Sequence, residues 1–258
     1  MVELLTVMLV ISMLMAILIP MFLHARERSE VFLCQNRLRE IGQSILLYGT
    51  DNKGRLPTTA ASVCPALPDM SSSGREAADP FDTSGPVPNN VPAAMFLLVR
   101  TYNLWPGNFV CPATEAVPDT FAGRPRSSRS NFTDVRRNLS YSMQNPYASE
   151  TAQAAGFQWS QNVHKDFAIL ADMNPGIAGQ GDNVLGVSPN LPPERMRAGN
   201  SNNHRKKGQN VLYIDGRVDF ASTPFAGVER DNIYATRNRT VLESPADPED
   251  SILLPTDD

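Results

Sequence analysis

Three histidines, three cysteines and two tryptophans in 258 residues leave little material for a catalytic or metal-binding signature. No His-x-x-x-His pair, Gly-x-Ser-x-Gly elbow or Cys-x-x-Cys knuckle occurs, which removes the commonest zinc-hydrolase, serine-hydrolase and zinc-knuckle readings. A basic excess is also lacking. Lys+Arg 23 against Asp+Glu 27 gives a net charge of -4, so the chain offers no electrostatic footprint for a nucleic acid backbone. Cys34, Cys64 and Cys111 are too few and too far apart for a small disulfide-built scaffold, and at most one pair can close. What remains is ordinary globular composition, 41% hydrophobic and 19% charged, suited to one domain with appendages.

The apolar residues are unevenly placed. Residues 4–23 read LLTVMLVISMLMAILIPMFL, with no charge and only Thr6, Ser12 and Pro20 departing from apolar or small side chains. At about 1.5 Å per residue this run spans about 30 Å, the thickness of a bilayer core. A cleaved secretory signal has a basic start, a shorter apolar stretch and a small-residue cleavage site. Here Glu3 stands where Lys or Arg is expected and Ile19-Pro20-Met21 supplies no such site, so a retained membrane helix is expected.

The helical pattern continues past the apolar run. Val31, Cys34, Leu38, Ile41, Ile45 and Tyr48 recur at spacings of three and four, which marks one stripe of an amphipathic helix over 24–50. Arg26, Glu27, Arg28, Glu30, Arg37, Arg39 and Glu40 fall mostly on the wet side. Gly49, Asp51, Asn52, Gly54 and Pro57 provide a stop, and Pro20 is expected to kink the helix or loosen one turn. Glu3 has two readings: a carboxylate resting in the headgroup layer, or one awaiting a positive partner from another subunit.

Residues 55–92 are rich in Pro, Ser, Ala and Gly without apolar periodicity and read as a surface loop. Asn90 as cap and Pro92 in the first turn introduce a short apolar-faced helix, and Asn108-Phe109-Val110-Cys111 is a brief strand candidate. Short apolar runs at 139–143, 167–171, 211–214 and 218–220 read as strands of an antiparallel sheet. Asp215-Gly216 between the last two predicts a hairpin with a two-residue turn. The expected architecture is α+β: a long N-terminal helix over 1–54, transmembrane at 4–23 and amphipathic at 24–50, whose second half packs on a small antiparallel sheet. A soluble α+β domain over 93–241 follows, then an acidic tail over 242–258, rich in Asp and Glu without a basic residue, that reads as a mobile end.

Val2-Glu3-Leu4-Leu5, the apolar run, Pro20, Ala25-Arg26-Glu27-Arg28 and Cys34-Gln35-Asn36-Arg37-Leu38-Arg39-Glu40-Ile41-Gly42 resemble the N-terminus of type IV pilin-like proteins. They look most like the pseudopilin-like group abundant in planctomycete-type bacteria. His204 followed by Asp215-Gly216 resembles that group's C-terminal signature, with an apparent one-residue insertion around Arg205, Lys206 and Lys207. Residues 138–147, 169–175 and 231–234 are similar to the same group. In that family a peptidase cuts a basic leader after glycine, the new terminus is N-methylated, and a glutamate stands four positions further on. Glu3 matches the glutamate and Pro20 the family's proline. Met1 lies two residues before Glu3, so leader cleavage is an expectation carried by the resemblance alone.

The resemblance implies a structural subunit, not an enzyme. It would be a pilin or pseudopilin of a type IV pilus or type II secretion-like filament, anchored in the cytoplasmic membrane by one helix before assembly. Implied partners are further copies of the chain, other pilin-like subunits, a prepilin peptidase and an assembly platform. Arg26 and Arg28 taken alone would place the following domain inside the cell; the family places it in the periplasm or outside. The alternative is a membrane-anchored periplasmic binding or sensor domain that does not polymerise. In such a compartment Cys64 and Cys111 are placed to form one disulfide, or all three thiols stay reduced and buried. Asp172, Asn174 and Asp182 gather calcium-type oxygen ligands in a Gly-rich loop, although without EF-hand spacing, and no other cofactor is expected. His204 with Asp215 and Asp219 is a weaker metal or acid–base set, the plainer role of His204 being to orient the loop entering the hairpin.

Overall fold

In a computed structural model, residues 2–62, 67–177 and 184–257 are described. The first helix, α1, covers Val2–Asp51 and continues unbroken through Pro20. Its two halves have different surroundings. In the first, every apolar side chain from Leu4 to Leu23 is exposed, with Met21 and Phe22 each 70% exposed. In the second, Cys34, Leu38, Ile41 and Ile45 are fully buried and Val31 and Tyr48 half-buried, so the three-and-four spacing marks the packed stripe. The helix ends in a Schellman-type turn: the Gly54 amide donates to the Gly49 carbonyl at 2.7 Å, with Lys53 left-handed at φ +58°. Lys53 thus takes the conformation that glycine usually supplies.

The sheet against which α1 packs has five strands in the order β4-β3-β2-β1-β5, all neighbours antiparallel. They are β1 (Tyr141–Gln144), β2 (Ala168–Asp172), β3 (Gln209–Tyr213), β4 (Val218–Ala221) and β5 (Leu253–Leu254). A helix–sheet approach this close needs a small residue at the contact. Gly42 provides it: a Cβ there would lie 2.7 Å from Leu212 Cδ2 of β3. Gly42→Ala would regain about 1 kcal/mol of helix propensity, which masks the clash. Gly42→Val is therefore the sharper test, with an expected loss of about 1–3 kcal/mol from overpacking, read as a lower urea midpoint of the detergent-solubilised chain.

The helix α2 (Val91–Thr101) starts where the sequence places it, with Asn90 Oδ1 accepting the Ala93 amide at 2.7 Å. Val91 to Val99 are buried without a gap, so α2 is a core helix and not one with a single apolar face. The strand expected at Asn108–Cys111 does not form. A 3-10 turn (Pro106–Phe109) stands there, begun by a proline that has no amide for a ladder. That turn grips α1: Asn108 Nδ2 donates to Glu40 Oε2 at 2.6 Å and the Arg37 guanidinium donates to the Val110 carbonyl. Residues 55–62 and 67–90 form a packed strap more than a loose surface loop. Leu56, Thr59, Asn89 and Asn90 are buried, and Tyr147 Oη meets the Thr59 hydroxyl at 2.8 Å.

The hairpin also departs from expectation in one detail. Gly216 donates to the Tyr213 carbonyl and Tyr213 to the Arg217 carbonyl, both at 2.9 Å, leaving three residues between the closing pair. Gly216 at φ +86° occupies the left-handed position of this turn-plus-bulge connection.

The largest correction concerns residues 242–258. They are not a mobile tail: Asp250, Ser251, Ile252, Leu253 and Leu254 are fully buried, and β5 pairs with β1. The globular domain therefore extends past residue 241 to the end of the described chain. Charge content pointed the wrong way because the acids have specific uses. Asp247 and Glu249 stand 3.3 Å and 3.8 Å from the Arg237 guanidinium, and Asp250 accepts the Arg237 and Ala246 amides.

Burial pushes Asp231 up to about 7 and Asp250 up to about 6, despite the backbone amides each accepts. A carboxylate whose folded pKa lies above its unfolded value binds more protons in the native state. Stability is then expected to fall as pH rises from about 4 to about 7, by on the order of 7 kcal/mol for the two groups together. Urea midpoints between pH 5 and pH 8 should show this slope, and Asp231→Asn should flatten it; an equal slope in the variant would refute the assignment.

Candidate functional site

Four chain segments bring Cys34, Cys111, Asp172 and His204 to one buried place at the end of β2. Cys34 comes from the packed stripe of α1, Cys111 follows the 3-10 turn that grips that helix, and Asp172 ends β2. His204 closes a 3-10 turn (Asn202–His204) just before β3. One ligand atom from each lies within 4.8 Å of all the others. His204 Nε2 is 3.3 Å from Asp172 Oδ2 and 3.8 Å from Cys111 Sγ.

The carboxylate is well held. Asp172 Oδ2 accepts the backbone amide of Asn210 at 2.6 Å and its Nδ2 at 3.1 Å, while Oδ1 accepts Asn203 Nδ2 at 3.2 Å. Among the described residues its ion-pair partner is His204. Burial works against charge on that imidazole, but the hydrogen bonds and attraction from Asp172 and Cys34 outweigh it and hold the pKa up at about 10. The Cys111 hydrogen bond and His204 draw the Cys34 thiol down against burial, whereas the shared hydrogen bond and burial push Cys111 up. The Tyr141 hydroxyl is buried beside Cys34.

The remaining expected site residues do not join this cluster. Asp215 sits on the exposed turn, where its Oδ1 accepts the Arg217 amide at 2.9 Å, and Asp219 pairs with Arg217 at 2.5 Å. His204, Asp215 and Asp219 therefore do not form one site, and His204 and Asp215-Gly216 serve different places. His204 does fix the loop entering the hairpin, Asn210 Nδ2 standing 3.1 Å from its Nε2. The calcium set is not assembled by its described members. Asn174 spends Nδ2 on the Tyr234 and Leu253 carbonyls and Oδ1 on the Gly176 amide, while Asp172 faces His204; Asp182 lies outside the described residues. Cys64 also lies outside them, and Cys111 is a free thiol facing Cys34.

Cys34 was the member that spacing assigned only to a helix face. Its signal was its position on the buried stripe, which fixes which side of α1 it shares with the core but not what lies opposite. The residues just after His204 have a visible use: Arg205 and Lys207 reach back to Glu27 of α1, the lysine Nζ at 2.6 Å. Lys207, with Arg205 and His24, holds the Glu27 carboxyl below its usual range.

A second candidate surface is the first half of α1. Glu3 is exposed in its first turn, and the apolar residues after it meet no part of the domain. The described residues thus define an α+β protein with an N-terminal helix long and apolar enough to cross a membrane. No family model, curated protein or solved structure matches the chain.

Proposed function

We propose that the chain is a structural subunit of a type IV pilin-like filament, held in the cytoplasmic membrane by residues 4–23 until assembly, with its globular domain on the outer side. One observation carries the reading: a single unbroken helix is apolar and uncovered on all sides over its first half and packed on an antiparallel sheet over its second. A helix apolar all round needs either lipid or other protein around it. Stacking copies side by side replaces lipid contacts with helix contacts and leaves the globular domains on the outside of a filament. Phe32, Leu33 and Leu47, exposed on the outward face of the packed half, extend the same apolar surface toward neighbouring copies. Met8, Met13, Met15 and Met21 supply adaptable side chains for such an interface.

The test is mechanical shearing of native cells without detergent, followed by high-speed sedimentation. Pelleted filaments containing this chain are the expected result. Recovery only from detergent-extracted membranes would put the non-polymerising anchored domain ahead.

A further inference from the structure

We propose that Cys34, Cys111, Asp172 and His204 form a structural site for a divalent transition-metal ion, zinc by its donor set, that ties the long helix to the sheet. The site does not depend on filament assembly. Zinc takes four ligands at tetrahedral corners, with Zn–S about 2.3 Å and Zn–N or Zn–O about 2.0–2.2 Å. Those lengths put a nitrogen and an oxygen donor about 3.3 Å apart, a sulfur and a nitrogen about 3.6 Å apart, and two sulfurs about 3.8 Å apart. The His204–Asp172 separation is 3.3 Å and the Cys111–His204 separation 3.8 Å, with every donor pair inside 4.8 Å. Contraction by at most about 1 Å closes all four onto one ion.

The surroundings are those of a ligand set. Ligating carboxylates are held by hydrogen bonds from outside the coordination sphere. Asp172 already has three, from the Asn210 amide, Asn210 Nδ2 and Asn203 Nδ2. One fully buried polar atom close by, Asn210 Oδ1, has no partner. Once bound, a divalent ion balances the charge of the two sulfurs and the carboxylate that ligate it. Soft sulfur donors with an imidazole favour zinc over calcium or magnesium. On binding, Zn–S and Zn–N bonds replace the protons on the thiols and on Nε2, which pass to the buffer, so no oxidant or reductant takes part. His204 and Asn203 line a cavity of about 350 Å³, bordered also by Val31, Ala113 and Phe220, so one side of the cluster lies next to open space.

The experiment uses the full chain, purified in detergent without a chelator or histidine tag, and equilibrated with buffered Zn²⁺ under a phosphine reductant. One zinc per chain is expected. Co²⁺ in its place should give sulfur-to-cobalt charge transfer and the strong visible bands of a tetrahedral ion. Cys34→Ser and Cys111→Ser should each remove most of the charge-transfer intensity. Asn203→Ala keeps all four donors and should weaken Zn²⁺ about 10–100-fold while leaving the shape of the cobalt spectrum unchanged. Substoichiometric zinc, or a six-coordinate cobalt spectrum without sulfur charge transfer, overturns the proposal in the unaltered protein. So does a Cys34–Cys111 disulfide mapped in native protein before any reductant is added.

Discussion

Ending the chain after Ser244 is expected to abolish cooperative unfolding of the globular domain. The truncation removes Ile252, Leu253 and Leu254, all fully buried, and with them strand β5. Full burial of an aliphatic side chain contributes about 1.5–3 kcal/mol, so the three together supply roughly 5–9 kcal/mol. That is comparable with the whole stability of an ordinary domain, about 5–15 kcal/mol. Buried groups are stranded as well. Gln144 Oε1 accepts the Ile252 amide at 2.9 Å, Asn145 donates to the Ile252 carbonyl at 2.8 Å, and Asn174 Nδ2 donates to the Leu253 carbonyl at 2.9 Å. Gln144 Oε1 and the Asn145 amide lose their partners in the truncated chain and Asn174 Nδ2 keeps only the Tyr234 carbonyl, which adds a desolvation cost. Leu254→Ala is the graded version, with an expected loss of about 2–5 kcal/mol. Urea titration of the detergent-solubilised proteins, followed by tryptophan fluorescence, measures both. A truncated chain with an unchanged midpoint would restore the free acidic tail that the charge pattern suggested.

Glu3→Leu is expected to leave the domain folded and cut filament yield roughly 100-fold. The residue is exposed in the first turn of α1, remote from the packed half, so its loss removes nothing from the core. A carboxylate drawn to the centre of an apolar layer costs roughly 2.5–3.5 kcal/mol unless it is paired. In the proposed filament the amino terminus of an adjacent copy would offer that pairing, and replacing Glu3 by leucine would leave the ammonium alone in the same apolar place. An imbalance of that size corresponds to about two factors of ten in an assembly equilibrium. The readout is sheared, sedimented material per cell, with an unchanged urea midpoint as the control. Equal yield would remove the charge-pairing role of Glu3, while the sedimentation of the unaltered chain still decides whether filaments form.

Much of the fold was legible because local rules governed it. The stripe from Val31 to Tyr48 is a matter of period, and its buried positions coincide with the spacing of three and four. Asn90 and Pro92 marked the start of α2 through cap chemistry that acts within one turn. Four of the five strands fell in the short apolar runs bounded by Gly, Pro and Asn. The fifth was missed because Leu253–Leu254 is two residues long and sits among carboxylates, so composition outweighed the single feature that mattered, a free edge on β1. The second face of the sheet was missed for a related reason. Ile233, Tyr234 and Ala235 cover it from an irregular segment, and coil has no period to read.

By itself the sequence determined that residues 4–23 belong to a helix long and apolar enough to cross a bilayer, where that helix changes character, and that a small antiparallel sheet receives its second half. These are properties of neighbours along the chain, set by a rise of about 1.5 Å per residue and by turn-to-turn periodicity. Only the tertiary structure decided that Cys34, Cys111, Asp172 and His204 share one buried place, that Asp215 does not, and that the acidic end completes the sheet. Those outcomes depend on which faces meet across long stretches of chain, and spacing in sequence carries no information about distance once the intervening segments fold back on themselves.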